Sequence, residues 1–342
     1  MRAIVCEAYG PPDSLTEQDL PVPEPKGTEV RVRVTATGLG FVDGLMIQGL
    51  YQVRPPLPYR PGSEFAGVVD AVGPDCSTLA PGDRVFGNAP GALADFVCTD
   101  AARCFRTPDA LDDASAASLV VNYPTALYGL RDCANLEAGE TVLVLGASGG
   151  VGLAAIATAR AFGARVVAAA STDAKRAVAK GAGANATVDY TQPDWRDALR
   201  ACCPDGLNVV CDPVGGDVAE PAFRSLSPGG RFLVIGFAGG TIPRLPLNLA
   251  LLKRSSIVGV DWGGESRAHP ELLGQMLGDI STMIDAGTLK VAPVSERPAT
   301  DYVTALEDQL GGRITGKLVQ QLIDHQRPQV DLAPYRPERF SR

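Results

Sequence analysis

Histidine is almost missing from this chain of 342 residues: it occurs only at His269 and His325. A metal centre built on several imidazoles is therefore out of reach. The eight cysteines (Cys6, Cys76, Cys98, Cys104, Cys133, Cys202, Cys203 and Cys211) contain no Cys-x-x-Cys, which removes zinc-knuckle spacing and a small disulfide framework. They read as reduced thiols of a cytoplasmic protein, buried as small hydrophobes. The adjacent Cys202-Cys203 reads as a helix end before Pro204, with a redox pair as the alternative. No uninterrupted apolar run reaches about 18 residues, so no membrane span is expected. The opening Met1-Arg-Ala-Ile-Val-Cys-Glu is too short in apolar residues for a secretory signal. Positive charge is also scarce, 31 Lys+Arg against 39 Asp+Glu for a net charge of −8, which argues against nucleic acid as a partner.

What remains is the composition of an ordinary globular protein: 45% apolar, 20% charged, with mean hydropathy +0.06. At roughly 150 residues per domain, the length suggests two domains. Two textures divide it. Up to about residue 110 the chain is rich in Pro, Gly and short β-branched runs. Glu29-Val-Arg-Val-Arg-Val-Thr35 alternates with period two, as a half-buried strand does, and 64–73 and 83–86 read as further strands. From about Ala114 strands and helices alternate. Strands are expected at 141–145, 165–170, 208–211, 231–235 and 256–260, and helices at 113–130 (broken near Pro124), 151–162 and 173–180. This pattern predicts a parallel sheet covered on both faces. Helices at 270–286 and 302–310, a strand at 317–323 and an irregular tail after Asp324 complete the reading. No flexible linker separates the textures, so the two domains are expected to enclose a cleft.

The most informative segment is Leu143-Val-Leu-Gly-Ala-Ser-Gly-Gly-Val-Gly-Leu-Ala-Ala-Ile156, where a strand runs into a turn that opens a helix. Ala147-x-Gly149-x-x-Gly152 occupies the small-residue positions of a dinucleotide fingerprint, with Ala in place of the first Gly. Those positions serve the tight turn, close approach to a pyrophosphate, and close packing of helix on strand. The helix N-terminus then faces the phosphates. Gly146, Ala147, Ser148, Gly149, Gly150, Val151 and Gly152 are the expected cradle. The next strand ends in Ser171, not in the acidic residue that NAD enzymes use for the ribose hydroxyls. Ser171 can donate to a 2′-phosphate and Lys175 can supply a cation, which favours NADPH.

With this motif at mid-chain behind a β-rich part, the sequence resembles the medium-chain dehydrogenase/reductase superfamily. Within it, the chain is similar to the zinc-independent NADPH:quinone oxidoreductases related to ζ-crystallin. The resemblance is carried by Ala36-Thr-Gly-Leu-Gly-Phe-Val-Asp43, Ile47-Gln-Gly-Leu-Tyr51, Leu57-Pro-Tyr-Arg-Pro-Gly-Ser-Glu-Phe-Ala-Gly-Val-Val69, Pro81-Gly-Asp-Arg-Val85, the glycine turn, Val234-Ile-Gly-Phe-Ala-Gly-Gly240 and Gly316-Lys-Leu-Val319. It implies an α/β protein: a Rossmann doubly wound parallel sheet inserted into a GroES-like β-rich catalytic domain. The expected bounds are 1–121 for the first catalytic part, 122–264 for the Rossmann domain, and 265–342 for the return and tail.

Departures from the zinc-containing alcohol dehydrogenases point to the chemistry. Where they place three zinc ligands, this chain has Gly40, Ser63 and Val121, and the proton-relay position is Val42. No metal is expected, and His269, just before Pro270, reads as a residue at a helix start. Without a Lewis acid an alcohol is not readily ionised at neutral pH, whereas an acceptor conjugated to a carbonyl can take hydride unaided. The expected activity is hydride transfer from NADPH to a quinone. Reduction of the C=C bond of an enone or enoyl thioester is the alternative, and an NADPH-binding protein without turnover, as in lens crystallins, is a second. The resemblance places Gly40, Phe41, Thr125 and Phe237 near the nicotinamide, Tyr190 near the adenosine phosphate and Lys317 toward the cofactor. Tyr51, in Gln48-Gly-Leu-Tyr51, is the candidate catalytic residue, because related enoyl-thioester reductases carry a Tyr in a similar context and a phenol can protonate an enolate. The edge strand at 256–260 could pair across a twofold axis, so a homodimer is expected.

Overall fold

The structure is a computed structural model and describes residues 1–322. The strands are β1 (Arg2–Val5), β2 (Thr16–Asp19), β3 (Glu29–Leu39), β4 (Glu64–Val72), β5 (Arg84–Asn88), β6 (Phe96–Asp100), β7 (Cys104–Arg106) and β8 (Thr141–Val144). They continue as β9 (Arg165–Ala169), β10 (Ala186–Val188), β11 (Val209–Asp212), β12 (Arg231–Val234), β13 (Ser256–Gly259), β14 (Ser295–Pro298) and β15 (Leu318–Gln321). The helices are α1 (Phe41–Ile47), α2 (Asp113–Ala116), α3 (Leu119–Leu127), α4 (Gly150–Ala161), α5 (Asp173–Gly181) and α6 (Trp195–Cys202). After them come α7 (Ala219–Ser225), α8 (Asn248–Lys253), α9 (Trp262–Ala268), α10 (Glu271–Asp285) and α11 (Tyr302–Leu310).

One sheet runs β10-β9-β8-β11-β12-β13 and is parallel throughout. Its strands bury both faces, and alternate residues serve two cores. Val142, Val144, Val166, Ala168, Val209 and Cys211 pack with α3, α4 and α10. Leu143, Leu145, Val167, Ala169, Val210 and Phe232 pack with α6, α7 and α8. Two-sided burial is why these strands read as continuous apolar runs, and helices on both faces make the sheet doubly wound.

The other large sheet runs β14-β15-β3-β4-β5-β7, with β6 also paired to β3. Val30, Val32 and Val34, the alternating apolar residues of β3, lie in its core with Phe65, Val85 and Val97. The chain's return closes this sheet: β15 pairs antiparallel with β3. Just before it, the Gly316 N–H donates to the Ser148 carbonyl at 2.7 Å. That bond ties the segment carrying Lys317 to the glycine turn.

One expectation needs correction. The helical stretch does not break at Pro124; it breaks at Ala117–Ser118, between α2 and α3, and α3 runs through the proline. Burial of eight of the nine α3 residues holds the helix despite the missing N–H, and the chain widens into a π-helix at Tyr128–Cys133 only afterwards. His269 does stand at a helix start: its carbonyl accepts the Leu272 N–H at 3.1 Å just before α10, and it also caps the end of α9. Cys202 does end α6. The tail expected after Asp324 lies outside the described residues.

Candidate active site

β8 delivers the chain into a turn that only glycine satisfies at two points. Gly146 has φ +57°, so the left-handed step falls one residue before Ala147, which is itself fully buried. A Cβ on Gly152 would stand 2.4 Å from the Gly146 carbonyl oxygen, closer than any side chain tolerates. Gly149 is the extended residue that starts α4. A Cβ there would meet only the Gly146 oxygen, at 3.4 Å. The first turn of α4 therefore presents bare backbone to a cavity of about 230 Å³ lined by Gly146 and by Ser148 through Gly152. An open cradle with free N–H groups at the start of a twelve-residue helix fits a pyrophosphate.

Ala170, Lys175 and Tyr190 line the far end of this cavity. The Thr172 hydroxyl caps α5 by accepting from the Lys175 N–H, which fixes the lysine in the first turn. Its Nζ donates to the Gly312 carbonyl at 2.8 Å and makes no ion pair among the described residues. The neighbouring cation, Arg176, is committed to Asp173 and Asp189. The Asp173 side chain is fully exposed, pairs with Arg176 and is not among the lining residues of the cavity. Ser171 sits beside Tyr190, whose phenol burial pushes up and the serine hydroxyl pulls back. Ser171 itself is not among the lining residues. Asp212, 2% exposed, accepts the N–H groups of Val214 and Gly215 at 2.8 Å each and so shapes the loop that closes this wall.

A larger cavity of about 760 Å³ meets the first along Gly40, Phe41, Asn122, Val151 and Lys317. Half-buried Tyr51 lines it, as do Val42, Met46, Thr125 and Trp262. The Thr125 hydroxyl donates to the Val121 carbonyl at 2.6 Å. Gly40, Ser63 and Val121, the positions compared above with zinc ligands, all face this cavity. Among the described residues no group of three His, Cys, Asp or Glu side chains could hold a metal.

The floor carries two carboxyls, Glu64 and Asp43, to which the sequence assigns no role. Glu64, 1% exposed, pairs with Lys317, 6% exposed, and accepts the Val121 N–H at 2.8 Å. Asp43 caps the start of α1 by accepting the Gly40 N–H at 2.7 Å. Burial pushes both carboxyls above the usual carboxylate range, and the Lys317 charge opposes the shift. Asn122 was also missed; its amide would lie 2.5 Å from a Cβ on Gly150, so helix α3 packs directly on the cradle. The one signal was a lone polar residue in the apolar Val120-Val-Asn-Tyr123. Of the expected residues, Gly40, Phe41, Tyr51, Thr125, Gly146, Ser148 through Gly152, Lys175, Tyr190 and Lys317 line the two cavities, whereas Ala147 and Ser171 line neither. Phe237 is 39% exposed and also lines neither cavity, while Ala238 lines the first.

A nucleotide cradle opening onto a second cavity between a parallel and a mostly antiparallel sheet defines a dehydrogenase or reductase. The chain matches the alcohol dehydrogenase GroES-like domain over residues 26–109 and the zinc-binding dehydrogenase family over 150–277. It is 36% identical over 324 residues to quinone oxidoreductase-like protein 2 homolog of Nematostella vectensis, covering 93% of this chain and 88% of that one. It is 32% identical to human quinone oxidoreductase, over 93% and 97% of the two chains. Among solved structures it superposes on Escherichia coli quinone oxidoreductase complexed with NADPH with TM-score 0.83, at 27% identity over 94% and 100% of the two chains. The CurK enoyl reductase gives TM-score 0.84, at 27% identity over 94% and 99%. The chain is a medium-chain dehydrogenase/reductase and belongs to the quinone oxidoreductase family.

Proposed function

We propose that this protein is an NADPH-dependent oxidoreductase that delivers hydride to a quinone without a metal ion. The observation that carries this reading is the junction of the two cavities at Gly40, Phe41 and Lys317, which lets a nucleotide in one reach an acceptor in the other. When bound, NADPH supplies the hydride from nicotinamide C4. The chain's own residues do the rest. The Gly149–Gly152 turn and the α4 N-terminus hold the pyrophosphate, and Lys175 with Tyr190 receives the 2′-phosphate. Phe41 and Thr125 border the meeting point, and the apolar walls exclude water and fix the distance between donor and acceptor. The Gly40, Ser63 and Val121 positions supply no thiolate or imidazole, which supports a zinc-free reaction.

Tyr51 on the acceptor wall favours one second reading, reduction of an enone or enoyl-thioester C=C bond, in which its phenol protonates carbon. A panel of quinones and enones, followed by loss of NADPH absorbance, separates the two. NADPH binding without turnover on the whole panel would instead favour a crystallin-like role. A homodimer is part of the proposal. β13 is an open sheet edge carrying Ile257, and Leu247, Leu251 and Leu252 on or beside α8 are each more than 70% exposed.

A further inference from the structure

We propose that the Lys317 ammonium is the electrophile of the acceptor site: it holds the acceptor's carbonyl oxygen and protonates it as hydride arrives. This rests on the reductase reading above and assigns the residue that does the work of a Lewis acid there.

Lys317 is a cation buried on the floor of a cavity, and its surroundings are built to keep it there. Gly38 leaves room for its stem, since a Cβ at that position would stand 3.0 Å from the lysine Cε. Gly40 leaves its head uncovered, since a Cβ there would stand 3.3 Å from Nζ and 3.6 Å from Asp43 Oδ2. One N–H goes to Glu64, and no other acceptor is bonded to Nζ among the described residues. Lys317 lines both cavities where they meet. A buried ammonium polarises a carbonyl far more strongly than a solvated one, because little water screens it.

Protons and electrons balance with NADPH as the reductant and solvent as the final proton source. Hydride adds to the conjugated carbon and the π electrons move onto the carbonyl oxygen. An Nζ–H bond breaks as an O–H bond forms. The neutral amine then takes its proton back from solvent as the product leaves, and the Glu64 carboxylate pairs again with the restored ammonium. Net, one acceptor, one NADPH and one proton give the reduced acceptor and NADP⁺. Tyr51, Arg103, Asp261, Arg267 and Glu271 are the other charged or titratable groups of the same cavity, on its outer wall.

The test pairs a binding probe with a rate. Lys317→Met alone would leave Glu64 unpaired in the interior, so the variant of choice is Glu64→Gln with Lys317→Met. The probe is 4-nitrophenol, whose anion absorbs visibly, titrated into the protein saturated with NADP⁺. The wild type should bind it with its pKa lowered, and the double variant should not. In single turnover with a quinone the double variant should lose about 100-fold in hydride transfer, with NADPH affinity changed little. An unshifted nitrophenol in the wild type overturns the proposal. So does a double variant that loses NADPH affinity but keeps its hydride rate, which would make Lys317 a cofactor ligand. Failure of the wild type to oxidise NADPH with any acceptor sinks the reductase reading instead, while the nitrophenol shift still reports on Lys317.

Discussion

Gly152 and Gly146 are in such close approach across the nucleotide turn that a single methyl group on the former would strike the latter's carbonyl oxygen at 2.4 Å. The contact is backbone against backbone, so it cannot relax by a rotamer change. Gly152→Ala is expected to cost on the order of 1–3 kcal/mol in stability. It should also abolish NADPH binding in a fluorescence titration. Gly149→Ala, where the added Cβ meets only one atom, should fold normally and lose affinity alone.

Lys175 reaches the nucleotide cavity, and among the described residues its ammonium has only a backbone carbonyl as partner. Replacing it with Ala should raise the KM for NADPH about 30-fold, the worth of one charge-assisted contact. The KM for NADH should stay nearly constant. Equal effects on both nucleotides would show that Lys175 does not contact a 2′-phosphate.

How far the sequence carried depended on whether the signal was local. The parallel sheet was legible because two-sided burial writes itself as apolar runs such as Thr141-Val-Leu-Val144, and the cradle because strand, glycines and helix follow in order. The Glu64–Lys317 pair was not, since its partners stand 253 residues apart and meet only when β15 returns to β3. Pro124 misled because its cost is local whereas the packing that overrides it is tertiary. Short strands such as β7 and β10 carried no pattern of their own, and their neighbours place them.

Asp212 organises the loop opposite the cradle through two backbone N–H groups while itself buried. Asp212→Ala leaves both donors unsatisfied and should cost about 1–3 kcal/mol in urea unfolding. It should also weaken NADPH binding, because Pro213 and Val214 line the cavity.

Burial pushes the Cys203 thiol to about 11 and those of Cys104 and Cys211 to about 12. At pH 8 about one in a thousand Cys203 side chains is thiolate, so these three should resist a thiol reagent that labels all eight cysteines after denaturation. Folding favours their neutral form. Their stabilising contribution is therefore complete below the ordinary thiol pKa of 9 and is lost as pH rises toward 12. Denaturation midpoints should fall over that range. Rapid native labelling of Cys203 would contradict the packing of α6.

Tyr51 discriminates the two acceptor classes. If carbon protonation is its task, Tyr51→Phe should cut enone turnover about 100-fold and spare quinones, within the usual range for a general acid. Full turnover with every acceptor would leave Tyr51 a wall residue only.

The most direct test of the central claim is anaerobic NADPH oxidation by chelator-stripped protein against a quinone, with zinc content measured on the same sample. The account expects one NADPH consumed per acceptor reduced, at a rate unchanged by stripping and by added zinc. A rate that vanishes on stripping and returns with stoichiometric zinc would contradict it.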